Sequence, residues 1–190
     1  MTKHLYLMRH GQTLFNVRRK IQGSCDSPLT PLGIEQAKKA KELLSDIQFD
    51  HYYSSTQERS SDTLEVIIGE NTSYKRLKGI KERGFGTFES ESEDLNPPYE
   101  KYDEFFPIYG GETSTQVAER MNKTLKEVMD QEDHQTVLAV SHAGACMCFF
   151  STVADRELLR KAGGMTNCAI CHYEYEDGKF KFIELLKPNI

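Results

Sequence analysis

Two short apolar runs, each broken off by a histidine and a glycine, limit most strongly what this chain can fold into. Leu5-Tyr6-Leu7-Met8 leads into Arg9-His10-Gly11, and Thr136-Val137-Leu138-Ala139-Val140-Ser141 leads into His142-Ala143-Gly144. The second run is apolar at consecutive positions, so both of its faces need cover, as they do inside a parallel sheet packed between helices. Strand-sized and helix-sized patterns alternate between the two runs. The expectation is an α/β protein, a three-layer αβα sandwich around a mostly parallel central sheet. Ligands of such sheets sit beyond the carboxyl ends of the strands. The strand ends at His10, Ser54-Ser55 and His142 should then open on one edge, with Gly11 allowing a sharp turn or a close approach to a ligand.

The intervening pattern is specific enough to place elements. Thr30 as N-cap and Pro31 at the first helical position start a helix whose residues Ile34, Ala37, Ala40, Leu43 and Leu44 are expected to face inward. Phe49–Tyr53 reads as a short strand and 56–68 as a helix with Leu64, Ile67 and Ile68 inside; 74–77 is a third strand. A long amphipathic helix over 113–132 carries Val117, Met121, Leu125 and Val128 on one stripe, and a further helix runs from Cys146 to Val153. The chain ends in a hairpin, Cys168–Tyr175 and Lys179–Leu186, around Glu176-Asp177-Gly178. Residues 1–190 read as a single domain, in which 79–111 form a lid-like insertion. That insertion holds an acidic run (Glu89, Glu91, Glu93, Asp94), Pro97-Pro98 and a cluster of aromatics. The aromatics favour an ordered lid with a short helix over a disordered loop.

Charge and cysteine usage exclude several classes. With 24 Lys and Arg against 29 Asp and Glu, the net charge of −5 offers no footprint for nucleic acid. Five cysteines, an odd number, do not suggest a disulfide framework. Cys168-Ala169-Ile170-Cys171-His172 has the spacing of a haem attachment site, but its alternation fits a buried strand better. No apolar stretch approaches the ~20 residues of a membrane span, and the start of the chain lacks the apolar core of a signal peptide. The expectation is a soluble cytoplasmic protein with no membrane or nucleic-acid partner; the pattern sets no oligomeric state.

The residues at the shared edge suit phosphoryl chemistry. Arginine forks bind phosphate oxygens and stay charged, which fits Arg9 and Arg59. A neutral histidine can act as a covalent nucleophile. Here the chain resembles the histidine phosphatase superfamily, the phosphoglycerate-mutase-like proteins. The resemblance rests on Arg9-His10-Gly11-Gln12-Thr13, with Asn16 and Gln22-Gly23 behind it, and on Asp26 to Ala37 leading into the first long helix. It continues in Ser54-Ser55-Thr56-Gln57-Glu58-Arg59 with Thr63, Glu82-Arg83-Gly84-Phe85-Gly86, Gly111-Glu112-Thr113 and Val140-Ser141-His142-Ala143-Gly144. One departure stands out: Phe88-Glu89-Ser90 occupies a place where the family often has an aromatic residue, Glu and Gly.

The resemblance implies catalytic roles for His10, Glu82, Arg9, Arg59 and His142. His10 is the expected nucleophile, forming a phosphohistidine, and Glu82 the proton donor. Arg9, Arg59, Asn16, Gln22, Gly23, His142 and Ala143 are the expected phosphate-binding residues, with His142 protonated. Neither metal nor cofactor is implied; the expected partners are a small phosphomonoester and inorganic phosphate. A cofactor-dependent phosphoglycerate mutase is the alternative, and a non-catalytic phosphate-binding protein of the same fold a weaker one. Mutases of the family carry a longer insertion after the proton donor, and an acidic mouth formed by Glu89, Glu91, Glu93 and Asp94 would repel a polyanion. Both points favour a phosphatase, with Phe85, Phe88, Tyr99, Tyr102, Phe105 and Phe106 forming an apolar lid.

Overall fold

The computed structural model describes residues 2–69 and 71–189. Along the chain run β1 (Lys3–Arg9), α1 (Leu14–Val17), α2 (Pro31–Leu43), β2 (His51–Ser55), α3 (Glu58–Ile68), β3 (Lys75–Leu77), α4 (Tyr102–Phe105), α5 (Ser114–Met129), β4 (Thr136–Ser141), α6 (Ala143–Phe150), α7 (Arg156–Lys161), β5 (Ile170–Glu176) and β6 (Lys179–Leu186). The strands form one sheet in the order β3-β2-β4-β1-β5-β6. The first four in that order run parallel and the C-terminal hairpin adds two antiparallel strands.

Period-two alternation in the strands separates two cores. Leu5, Leu7, Val137, Ala139, Cys171 and Tyr173 face a layer containing the α5 stripe (Val117, Met121, Leu125, Val128) and α6. Tyr6, Met8, Leu138, Val140, Cys168 and Ile170 face Ala37, Ala40, Leu64 and Ile67 of α2 and α3. The result is the expected αβα sandwich. Cys168 and Cys171 thus lie in opposite layers, and burial pushes each thiol up to about 12. Thiols held in that state are poor metal ligands.

Three local expectations need correction. Ile34 and Leu43 are 38% and 39% exposed; the buried stripe of α2 runs Gly33, Ala37, Ala40 and on to Leu44, and both side chains sit one residue, about 100°, off it. Gly11 serves packing between segments: a Cβ there would stand 2.5 Å from the Gly33 carbonyl oxygen, and one on Gly33 would stand 2.1 Å from that of Gln12. The glycine pair lets the loop after β1 lie against the first turn of α2. Helix α7 was not anticipated, because only Leu159 of its six residues is buried and no stripe can develop.

Candidate active site

Parallel pairing sets the site. Arg9 of β1 is in register with Ser141 of β4, and Ser54 of β2 with Val140, so the next residues emerge together. His10 and His142 lie side by side, ring centroids 5.2 Å apart. A cavity of about 200 Å³ opens there, lined by Arg9, His10, Asn16, Gln22, Gly23, Arg59, Glu82 and Ala143 among others. Eight of the nine residues expected at the site are therefore on its wall. The ninth, His142, is fully buried and backs the ring of His10.

His10 donates from Nδ1 to its neighbour's carbonyl, Gly11 O, at 2.7 Å. That bond fixes the neutral tautomer and leaves the Nε2 lone pair free. Burial, then Arg59 and Arg9, hold its pKa well below the ordinary histidine value. The ring is thus an uncharged base surrounded by cations.

Arg59 enters from the first turn of α3. It bonds the carbonyls of Cys25 (2.9 Å) and Gly23 (2.8 Å) and pairs with Asp26 at 2.8 Å. Asp26 also accepts from Glu58 N at 2.5 Å. It thereby caps a helix whose own N-cap residue, Gln57, makes no side-chain cap bond. Arg9 uses one terminal nitrogen on Met165 O. The Nε groups of both arginines and Nδ1 of His142 are buried and have no protein partner. Buried polar groups left unpaired are rare and costly, and these three belong to residues expected to bind phosphate.

His142 departs from expectation in its charge. Burial first, then Arg59 and His10, depress its pKa well below the usual value. On the protein's own charges it is neutral; only a bound anion could draw a proton onto it. Its Nε2 lies 2.7 Å from Ser55 Oγ and 3.1 Å from Ser60 Oγ. With Ser55 donating, the ring proton sits on the unpartnered Nδ1, and a neutral His142 is still a hydrogen-bond donor.

Glu82 is buried with its carboxylate at the N-terminus of α6. Oε1 accepts from Arg83 N (2.7 Å) and Ala145 N (2.8 Å), and Oε2 only from Gly144 N (3.1 Å). Oε2 is the oxygen with room for a proton. Arg120 holds the Glu82 backbone in place by bonding Gly79 O, Lys81 O and Glu82 O while pairing with Glu112. Burial raises the Glu112 pKa, but the bonds from Arg120 and Gly84 N outweigh it and the net shift is down.

Several positioning residues carried no clear signal in the sequence. Gln57 donates to Gly23 O and accepts from Glu82 N, tying the loop at Gly23 to Glu82. Thr63, flagged only as part of a motif, accepts from Gly11 N at 3.0 Å. Asn167, outside every motif, donates to His10 O and lies 3.4 Å from Asn16 Oδ1. Lys20 and Asn96 also line the cavity.

The covering segment is ordered but differs in detail from expectation. Of its acidic run only Glu93 lines the cavity; Glu91 and Asp94 are exposed, and Glu89 turns back to accept from Phe85 N. Phe85 and Tyr102 face the cavity, whereas Phe88, Phe105, Phe106 and Tyr109 stack on one another. An isolated segment needs its own small core, and these rings provide it. Ser90 keeps the left-handed backbone, φ 66°, that glycine would adopt freely.

A sequence model of the histidine phosphatase superfamily (branch 1) matches residues 5–187. The probable phosphoglycerate mutase GpmB of Proteus mirabilis (strain HI4320) is 30% identical over 188 residues, covering 91% of this chain and 85% of that protein. Among solved structures, a phosphoglycerate mutase from Bacillus anthracis str. Sterne superposes with a TM-score of 0.81 at 23% identity, covering 96% of this chain and 92% of that one. The phosphoserine phosphatase of Entamoeba histolytica, in its complex with phosphoserine, gives 0.76 at 26% identity, with 96% of each chain covered.

Proposed function

Because the chain belongs to the histidine phosphatase superfamily, we propose that it hydrolyses phosphomonoesters through a phosphohistidine on His10, without a metal ion. The observation that carries this reading is the neutral His10, with Nε2 free, beside the Nε groups of Arg9 and Arg59 and Nδ1 of His142, all buried without a protein partner.

In the first step the Nε2 lone pair forms a bond to phosphorus while the ester P–O bond breaks. Glu82 Oε2 gives its proton to the departing oxygen. Arg9, Arg59 and Nδ1–H of His142 hold the non-bridging oxygens, with Asn16 assisting; fixed donors of this kind stabilise charge where it develops. In the second step a water attacks phosphorus and Glu82 takes its proton. The P–N bond then breaks, its electron pair returning to His10, and inorganic phosphate leaves.

Relatives named as probable phosphoglycerate mutases keep phosphate transfer to a second substrate as the alternative. Glu93 on the cavity wall is offset by Lys20 beside it and by Arg19 at 3.9 Å, so wall charge does not choose between water and a second phosphorylated substrate as the acceptor. Mixing the protein with a phosphomonoester and quenching in alkali should trap a base-stable, acid-labile phosphoenzyme. It should be absent in His10→Ala, and turnover should persist in EDTA. Interconversion of 2- and 3-phosphoglycerate in the presence of 2,3-bisphosphoglycerate, faster than phosphate release, would replace the hydrolase reading with the mutase one.

A further inference from the structure

Phe85, Tyr102, Ala143 and Gly144 line the phosphate cavity and also a second, larger chamber of about 550 Å³. Glu82 marks the junction, since its carboxylate is held by Gly144 N and Ala145 N. A Cβ on Gly144 would stand 2.7 Å from Glu82 Oε1, so glycine is what allows the acid to sit there. In-line attack from His10 places the departing oxygen on the opposite side of phosphorus, and the acid must lie within reach of it. The leaving group then starts at Glu82 and its body runs into the chamber.

The chamber wall is largely apolar. Tyr99 joins Phe85 and Tyr102 from the covering segment, facing Met147 and Cys148 of α6 and Met165. Thioethers adapt to irregular ligand shapes, and the volume falls in the ~300–1,000 Å³ range of sites that enclose drug-sized molecules. A three-carbon acid would leave most of it to water. Three arginines reach the wall. Arg83 is paired with Asp103 and Arg160 with Glu157. Arg156 bonds Ser151 Oγ and Tyr99 OH and lies over the Tyr99 ring at 5.3 Å. Among the described residues it has no ion-pair partner, and it lines the chamber but not the phosphate cavity.

We propose that this chamber is the leaving-group site for a phosphomonoester of a bulky, mainly apolar alcohol bearing a carboxylate at the end remote from the ester, where Arg156 receives it. The inference rests on the phosphatase reading above. It sets the substrate class: an extended organic phosphate in place of a small sugar-acid phosphate.

The test compares primary alkyl phosphates, whose leaving-group chemistry is matched: ethyl phosphate, 2-(2-naphthyl)ethyl phosphate and the latter's 6-carboxylate. We expect kcat/KM to rise roughly 30-fold or more from the first to the second, and about tenfold again to the third. Read as the ratio of the carboxylated to the uncharged naphthyl ester within each variant, Arg156→Gln should erase the last gain and Arg156→Lys should restore part of it. Equal kcat/KM for ethyl and naphthylethyl phosphate would overturn the chamber assignment, and a carboxylate gain that survives Arg156→Gln would overturn the role of Arg156. Occupancy is also read without chemistry, by titrating His10→Ala with the fluorescent product 2-(2-naphthyl)ethanol. Saturable binding with no turnover of any ester by the intact protein would sink the phosphatase reading and keep the chamber. Turnover without alcohol binding would do the reverse.

Discussion

Replacing Arg59 with methionine separates its structural from its catalytic contribution. The guanidinium is fully buried and makes two bonds to backbone carbonyls and one ion pair. Methionine fills similar space without donors. Gly23 O keeps Gln57 Nε2 at 2.8 Å, and Asp26 keeps Glu58 N, so neither is orphaned; Cys25 O loses its bond outright. All three bonds come from a charged group; at about 1.5 kcal/mol each, the low end for such bonds, the loss is roughly 4–5 kcal/mol, or about 8–20 °C in Tm for a chain of this size. Catalysis loses one fixed cation at the developing charge, roughly 10²–10³ in kcat. Arg59 is also the largest charge holding down the His10 pKa after burial itself. Without it that pKa rises, and because the proposed mechanism uses neutral His10, the acid limb of kcat/KM should move to higher pH. The assays are urea melts and a pH–rate profile on a generic phosphomonoester. A variant folded as stably as the parent, within tenfold in kcat and with an unmoved acid limb, would refute this account of the site.

Three further outcomes follow from the same geometry. Both His10 and His142 have folded-state pKa values below their unfolded ones, so the unfolded chain binds more protons below about pH 6.5. Stability should be steady above that pH and fall beneath it, by up to about 1.4 kcal/mol per pH unit for each histidine; His10→Gln should reduce the slope in melts below about pH 6.5 without abolishing it, since His142 and His172, whose pKa burial also lowers, remain. Ser90→Gly relieves a left-handed serine, a strain of about 1–2 kcal/mol offset by the extra freedom of unfolded glycine; a gain of about 0.5–1 kcal/mol is expected, and a loss would mean that the Ser90 side chain matters. Glu82→Gln should slow alkyl phosphates roughly 10²–10⁴-fold but 4-nitrophenyl phosphate much less, because that leaving group departs without a proton; equal losses would remove Glu82 from the acid role.

Much of this protein is legible from residue order alone. The uninterrupted apolar run before His142 demands a buried parallel strand, and parallel strands in one layer bring His10 and His142 to the same edge. The Thr30-Pro31 start of α2 and the α5 stripe are likewise local patterns, with a cap or a period that a reader can count. His10 and His142 follow strands and Arg59 opens a helix, which local patterns carry; Asn16, Gln22, Gly23 and Glu82 join them only through the family's motifs.

Tertiary structure decided what depends on groups distant in sequence. His142 is neutral because burial and the charges of Arg59 and His10 act on it together, and no local pattern carries that sum. Asp26 caps α3 from 32 residues away, and Asn167 reaches back to His10 O from before β5. Aromatic spacing predicted an apolar cover, but only packing divided its rings between the segment's own core and the cavity wall. Periodicity reports which way a side chain faces within its own element. The electrostatics around His10, and the second chamber beyond Glu82, arise where several elements meet.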